Sequence, residues 1–462
     1  MRAVGARTAL PATVALAAVL SLAGAQGAGA SSSLFPKPLH YTVAVSYHSG
    51  SRSLSGSERI LFQNTSGRRL GSVWLRVWPN GYGSCAHPWA RVSAIAGGRI
   101  NGSATACTAM RVRLSTALAP GRSASIRLRL HVQVPPGPNR FGQESGIAYF
   151  GNALPLLDVQ GAAGPDLDPY TDVGDPFFSL SSRWSVTLDL PSALAAATTG
   201  SVIGRRSLGH GVKRLRIAAA HARDFAVVTG RMAVNSTRTA NGIRLTRYRL
   251  PSASRADALR TLALARAAVE QYSAWYGDPG EREIDLVAAP SSLGAFGGGM
   301  EFPGLVLTSD EPRLVAHELA HQWWYGLVGD DQWRSPWLDE SFAEYAARQL
   351  PADPFGQDDL SCDPGDPVTP FGKGPLTADM RHWDAAGADA YFRTIYLGGT
   401  CALRSLEADL GADWMLAFLR SYADGHRYGV TSTAEFVAAV RAAAPPGYDV
   451  DAFLRRARIE VP

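Results

Sequence analysis

Lysine is almost absent from this 462-residue chain: nearly all of its 45 basic side chains are arginines, and they are scattered. No run of them forms the basic groove that a nucleic-acid backbone requires, so the net charge of +5 reports composition and not a polyanionic partner. Cysteine is scarce too. The four present, Cys85, Cys107, Cys362 and Cys401, do not have zinc-finger spacing. Beyond residue 30 no segment is long and apolar enough to span a bilayer, and no period repeats along the chain.

What is there suits a globular protein of two or three domains, with 46% hydrophobic and 18% charged residues. Arg2 and Arg7 precede the apolar run "ALPATVALAAVLSLAGA", and Ala28–Ala30 offers small residues for cleavage. Residues 1–30 therefore read as a secretory signal, and the mature protein as secreted or in the cell envelope. The alternative is an uncleaved anchor, for which the run is near the short end. Export permits disulfides. Of the three possible pairings, Cys85–Cys107 and Cys362–Cys401 each close a loop within one presumed domain. Sequons stand at Asn64, Asn101 and Asn235.

Residues 31–250 read as strands. "YTVAVSYH", "ERILFQN", "SASIRLRLHVQV" and "WSVTLDLP" alternate apolar and polar positions between turn residues, which implies an antiparallel sandwich or saddle. A Gly/Pro/Asp-rich stretch from Pro135 to Pro176 interrupts them and has the character of a functional loop or a packed connection. From 251 to 462 the period becomes helical, apart from the strands "REIDLVAAP" and "GGGMEFPGLVLTS". The chain is thus an α+β multidomain protein, a β domain followed by a mainly α-helical one. "SRADALRTLALARAAVEQYSAWYG" has Ser252 or Ser254 as N-cap, and Pro336–Leu350 has Ser335 as cap.

The chemistry concentrates in "RLVAHELAHQWWYG". With Asp310 or Glu311 as cap, a helix there places His317 and His321 one turn apart on one face, so both rings can bind one ion. Glu318 points about 100° away, outside the ligand set but able to lean toward a water on that ion. A catalytic zinc needs a third protein ligand. The metzincin continuation is excluded, because Trp324 and Leu327 stand where it requires Gly and His. Glu340 in "SPWLDESFAEY", with eighteen residues between it and His321, is a candidate on the next helix. Glu344, one turn further, either orients a ligand histidine or faces solvent.

"HELAH", the spacing to Glu340 and "WLDESFAEY" together resemble the aminopeptidase N and leukotriene hydrolase family of zinc metallopeptidases. "GGGMEFPG" resembles that family's G-x-M-E-N strand, and "AYFRTIYLGG" its paired tyrosines before a Y-x-K-G turn. The resemblance implies a saddle-like N-terminal domain, a thermolysin-like catalytic domain, and a short form without the α-solenoid C-terminal domain. It implies one Zn2+ held by His317, His321 and Glu340, with Glu318 as general base and Tyr396 as oxyanion donor. Glu301, with Met300, Gly299 and Tyr391, would bind the peptide substrate, and Glu301 would capture its free α-amine. Phe302 replaces the family's Asn, Pro303 removes a backbone donor, and Gly398 replaces its Lys, so the exopeptidase expectation rests on less than zinc hydrolysis does. An endopeptidase of the same fold and a non-catalytic peptide-binding homologue are the alternatives.

Overall fold

A computed structural model of the chain describes residues 34–293 and 298–461. The expected signal sequence and Gly297 lie outside the described residues.

Strict alternation builds the first layers. In Lys37–His48, Tyr41, Val43, Val45 and Tyr47 face inward and the residues between them are more exposed. This strand belongs to a seven-stranded sheet ordered Ser201–Gly209, Val212–Ala222, Ser182–Pro191, Lys37–His48, Ser53–Gln63, Ser123–Gln133, Ala90–Ala96. A four-stranded sheet ordered Leu156–Leu157, Leu70–Arg76, Ala109–Leu118, Gly98–Ala104 shares one hydrophobic core with it. The expectation of a purely antiparallel layer needs one correction. Lys37–His48 runs parallel to Ser182–Pro191. The long excursion between the two in sequence supplies the crossover that a parallel pair needs and a tight hairpin does not.

A further sheet of Ala195–Thr198, Val227–Gly230, Ile147–Phe150 and Phe141–Glu144 leads toward the helical half. There a four-stranded sheet is ordered Ala233–Arg238, Arg244–Arg249, Glu283–Ala288, Leu305–Thr308. Strands on both sides of Pro251 therefore share it.

Helices α1 (Arg255–Tyr276) and α2 (Pro312–Ala320) pack on this last sheet, and α3 (Trp337–Gln349) packs on α2. Ser254 caps α1, accepting from Asp257 N, and Glu311 caps α2, accepting from Arg313 N at 2.9 Å and from Leu314 N at 2.5 Å. Ser335 does not cap α3; no side chain does. The first turn of α3 instead gains a bond inside itself, from Glu340 N to Asp339 Oδ1 at 2.7 Å.

The expected long strand "GGGMEFPGLVLTS" is also shorter than its composition suggests. Only Leu305–Thr308 is in the sheet, and Met300 pairs back onto Leu307 through two bonds of 3.0 and 2.8 Å. Pro303 and Gly304 (φ +72°) occupy the middle of the intervening turn, closed by Leu305 N to Phe302 O at 2.9 Å. Proline at the second position needs no N–H and glycine at the third supplies the positive φ, so the turn wins over strand propensity. Phe302 is fully buried, its ring lying where a Cβ on Gly151 would fall.

Both cysteine pairs form, Cys85–Cys107 and Cys362–Cys401, with Cα separations of 5.5 and 5.3 Å. Asn64 is fully buried and its amide donates to Arg68 O and Leu118 O, so this sequon is closed to glycan in the folded chain. Among the described residues no helix is long and apolar enough to cross a membrane.

Candidate metal centre

Helix α2 is held in place from behind. Tyr272 of α1 donates its hydroxyl to Ala316 O at 3.1 Å, and Val315, Ala316, Leu319 and Ala320 are fully buried. The helix ends at Ala320, so His321 sits just past it while keeping helical backbone angles. That preserves the one-turn spacing. The two Nε2 atoms lie 3.1 Å apart, and Glu340 Oε2 from α3 is 3.3 Å from one and 3.4 Å from the other.

These three lengths test the site directly. A regular tetrahedron with edges near them has its centre about 2.0 Å from each corner, the length of zinc–nitrogen and zinc–carboxylate bonds. The outer atoms agree. His317 Nδ1 donates to Glu344 Oε2 at 3.0 Å, and His321 Nδ1 to Trp324 O at 2.9 Å. Both rings thus carry their hydrogen on Nδ1 and turn a lone pair inward. Glu340 Oε2 consequently faces two nitrogens with no hydrogen to give, a buried carboxylate oxygen without a donor. A cation is the group that completes such a set. In its absence burial disfavours the charged imidazoles, but Glu340 outweighs it, pushing His321 up to about 9 and His317 well above its ordinary value. Glu340 itself is held low by the two histidines against the effect of burial.

Glu344 is turned toward the histidine pair and not toward solvent. It accepts from His317 and, through Oε1, from Arg348 Nε at 2.6 Å, while Arg348 also reaches Asp358 at 2.7 Å. Glu318 lies beside the ligands but outside their set. Its carboxyl is buried, Oε2 has no partner, and burial raises its pKa to about 8 against the pull of His317 and His321. Gly299 makes room for it: a Cβ there would stand 2.3 Å from the Glu318 Cδ and Oε1.

Tyr396 stacks on His317, ring centroids 5.5 Å apart and planes 17° from parallel. The expected helix over this region is interrupted. Ala388–Tyr391 is a single turn, Phe392–Gly398 is π-helical, and Gly399–Leu410 resumes the α form. The wider i→i+5 turn brings Tyr391 and Tyr396, five residues apart, edge to face at 5.9 Å. Tyr391 is buried under Gly174, its hydroxyl unpartnered. Met300 is also fully buried, with Arg140 Nη1 against its sulfur at 3.0 Å. Glu301 is brought to the centre: its carboxyl, His321 and Asp339 offer atoms all within 4.8 Å of one another. Gln332 Nε2 bridges Glu301 Oε1 at 2.9 Å and Asp339 Oδ2 at 2.6 Å.

With this geometry in view, the relatives are informative. Residues 307–363 match the Peptidase family M1 domain. Over this segment the chain is similar to the M1 peptidase family. It is 30% identical over 209 residues to aminopeptidase M1-A of Oryza sativa subsp. japonica, covering 40% of this chain and 22% of that one. It is 29% identical over 172 residues to the leukotriene A-4 hydrolase of Xenopus laevis, covering 33% and 28%. The matched segments thus span about a quarter of these relatives' length. The fold is shared with an M1 zinc metallopeptidase of Deinococcus radiodurans at a TM-score of 0.68 and 20% identity, over 93% of this chain and 95% of that one.

Several residues around the candidate metal centre gave no signal in sequence. Asp339 and Gln332 are unremarkable polar residues until folding sets them on either side of Glu301. Arg140 comes from the Pro135–Pro176 loop, pairs with Asp175 and enters the same pocket, and Gly174 of that loop covers Tyr391. The Gly/Pro/Asp composition of this stretch suggested a functional loop or a packed connection, but neither its strands Phe141–Glu144, Ile147–Phe150 and Leu156–Leu157 nor which of its residues arrive.

Proposed function

We propose that this M1 chain is a secreted zinc metallopeptidase that removes residues from the amino termini of peptides. The carrying observation is the His317–His321–Glu340 triangle, with tetrahedral edge lengths and a donorless Glu340 oxygen, beside a buried Glu318. His317, His321 and Glu340 would hold the ion. Zinc in such a site supplies Lewis acidity, acidifying water and polarising a carbonyl. Glu318 accepts the proton of the attacking water and passes it to the leaving amine, a role for which a raised carboxyl pKa is suited. Tyr396, fixed against His317, donates its hydroxyl to the oxyanion that forms at the scissile carbonyl. Glu301, steadied by Gln332, receives the substrate's α-ammonium. The bridge at Met300 assists: Met300 spends its backbone groups on Leu307, so those of Gly299 and Glu301 point to the opposite edge, where an extended peptide can pair.

One observation favours an endopeptidase instead. Arg140, paired with Asp175, sets its guanidinium against Met300, the sequence neighbour of Glu301, and so places a resident cation in the region where an α-ammonium would bind. Free and N-acetylated forms of one fluorogenic peptide separate the readings. Aminopeptidase action predicts cleavage of the free form alone, loss of turnover on chelation, and a folded, zinc-containing but inactive Glu318→Gln protein. Equal cleavage of both forms assigns the endopeptidase. Full activity of Glu318→Gln, or a native chain without zinc, refutes the metallopeptidase reading altogether.

A further inference from the structure

Tyr325 follows the metal ligand His321 by four residues and has φ +141°, a backbone state that bulky side chains rarely adopt. Such a conformation persists only where surrounding contacts enforce it. Here the enforcing contacts come from the β domain. Arg223 and Asp224 lie on the short connection between strands Val212–Ala222 and Val227–Gly230. The Arg223 guanidinium is fully buried and donates to three carbonyls: Tyr325 O at 2.7 Å, Ser179 O at 3.2 Å, and Gly429 O. The Tyr325 hydroxyl donates to Asp224 Oδ2 at 2.7 Å, and Asn152 Nδ2 donates to the same oxygen at 3.1 Å. Gly329 is required for this arrangement, because a Cβ there would stand 1.8 Å from the Arg223 Cζ.

The held residue bears on the metal ligand through one peptide plane. Its carbonyl, Trp324 O, accepts from His321 Nδ1 at 2.9 Å, and its N–H, on Tyr325, donates to Val328 O at 2.9 Å. Rotation of Tyr325 toward an ordinary φ would turn this plane and withdraw the carbonyl from the imidazole. We propose that Arg223 and Asp224 are positioning residues for the metal centre, which hold Tyr325 in its strained conformation and so fix the ring of His321. The β domain is then part of the metal site, although it contributes no ligand. This rests on the reading of His317, His321 and Glu340 as a zinc site.

The test measures Zn2+ affinity of the full chain by chelator competition, with the absorption spectrum of the Co2+-loaded form as a second readout of ligand geometry. Tyr325→Phe removes only the hydroxyl tether and should weaken Zn2+ binding about 10-fold, the lower end for loss of an outer partner, and alter the Co2+ bands. Asp224→Asn keeps an acceptor oxygen and should remain near native. Tyr149→Phe deletes a different bond between the two halves, Tyr149 OH to Ala288 O, and serves as the control with unchanged affinity. If Tyr325→Phe binds Zn2+ and shapes the Co2+ spectrum as the native chain does, or if Tyr149→Phe weakens binding equally, the positioning role is overturned. A native chain that binds no Zn2+ overturns the zinc reading itself, and this inference with it.

Discussion

Glu344 offers the sharpest quantitative test of how the centre is built. Replacing it with Ala removes the acceptor of His317 Nδ1–H and one of three carboxylate partners of Arg348. The first loss leaves a buried donor unpaired on a ring that is 7% exposed in its side chain. An unpaired buried donor costs about 1–3 kcal/mol. Loss of an outer partner of a metal ligand weakens binding about 10–100-fold, or about 1.4–2.8 kcal/mol, which is the same range reached independently. The second loss is milder, because Arg348 keeps Asp358 at 2.7 Å and its charge stays paired. Helix α3 should therefore hold, and the effect should appear in metal affinity more than in fold. Glu344→Gln keeps an amide oxygen for His317 and belongs at the lower end, about 10-fold. The assay is Zn2+ competition against a chelator of known affinity, with thermal unfolding of the metal-free proteins as the fold control. A folded Glu344→Ala protein whose Zn2+ affinity stays within about twofold of native would refute the claim that this carboxylate orients His317.

Other consequences are as direct. Tyr396→Phe should lower kcat about 10²–10³-fold at unchanged zinc content, as expected for one lost oxyanion donor, and steady-state kinetics with metal analysis checks it. Gly299→Ala places a methyl 2.3 Å from the Glu318 carboxyl, and displacing that group should reduce kcat about 100-fold while the zinc remains bound. Asp224 gives a pH signature. Burial raises its carboxyl to about 7 despite the bond from Tyr325, whereas in the unfolded chain it titrates near an ordinary value. Between about pH 4 and 7 the folded state holds a proton that the unfolded state has released, so this group's contribution to stability falls as pH rises through that window. Asp224→Asn, which cannot ionise, should gain on the native chain over the same interval by up to about 4 kcal/mol, and urea unfolding at pH 4.5, 6 and 7.5 measures it.

The sequence by itself determined the local parts. Helical periodicity placed His317 and His321 a turn apart, and fixed separation put Glu340 on the next helix, because such spacings depend only on backbone geometry. Alternation gave the strands of residues 31–250, and the caps were narrowed to Ser252 or Ser254 and to Asp310 or Glu311, because capping is a contact between near neighbours; the structure selects Ser254 and Glu311. Short-range rules failed where a distant contact or a competing turn won. Ser335 read as a cap and is not one, and the glycine-rich strand broke at Pro303–Gly304. Tertiary structure alone decided which side chains surround the ion. Gln332 meets Glu301 across 31 positions, Arg140 meets Met300 across 160, and Asp224 meets Tyr325 across 101. No periodicity spans such distances. Those contacts form because two sheets and three helices bury their apolar faces together, and the polar groups carried into the seam must then find partners in one another.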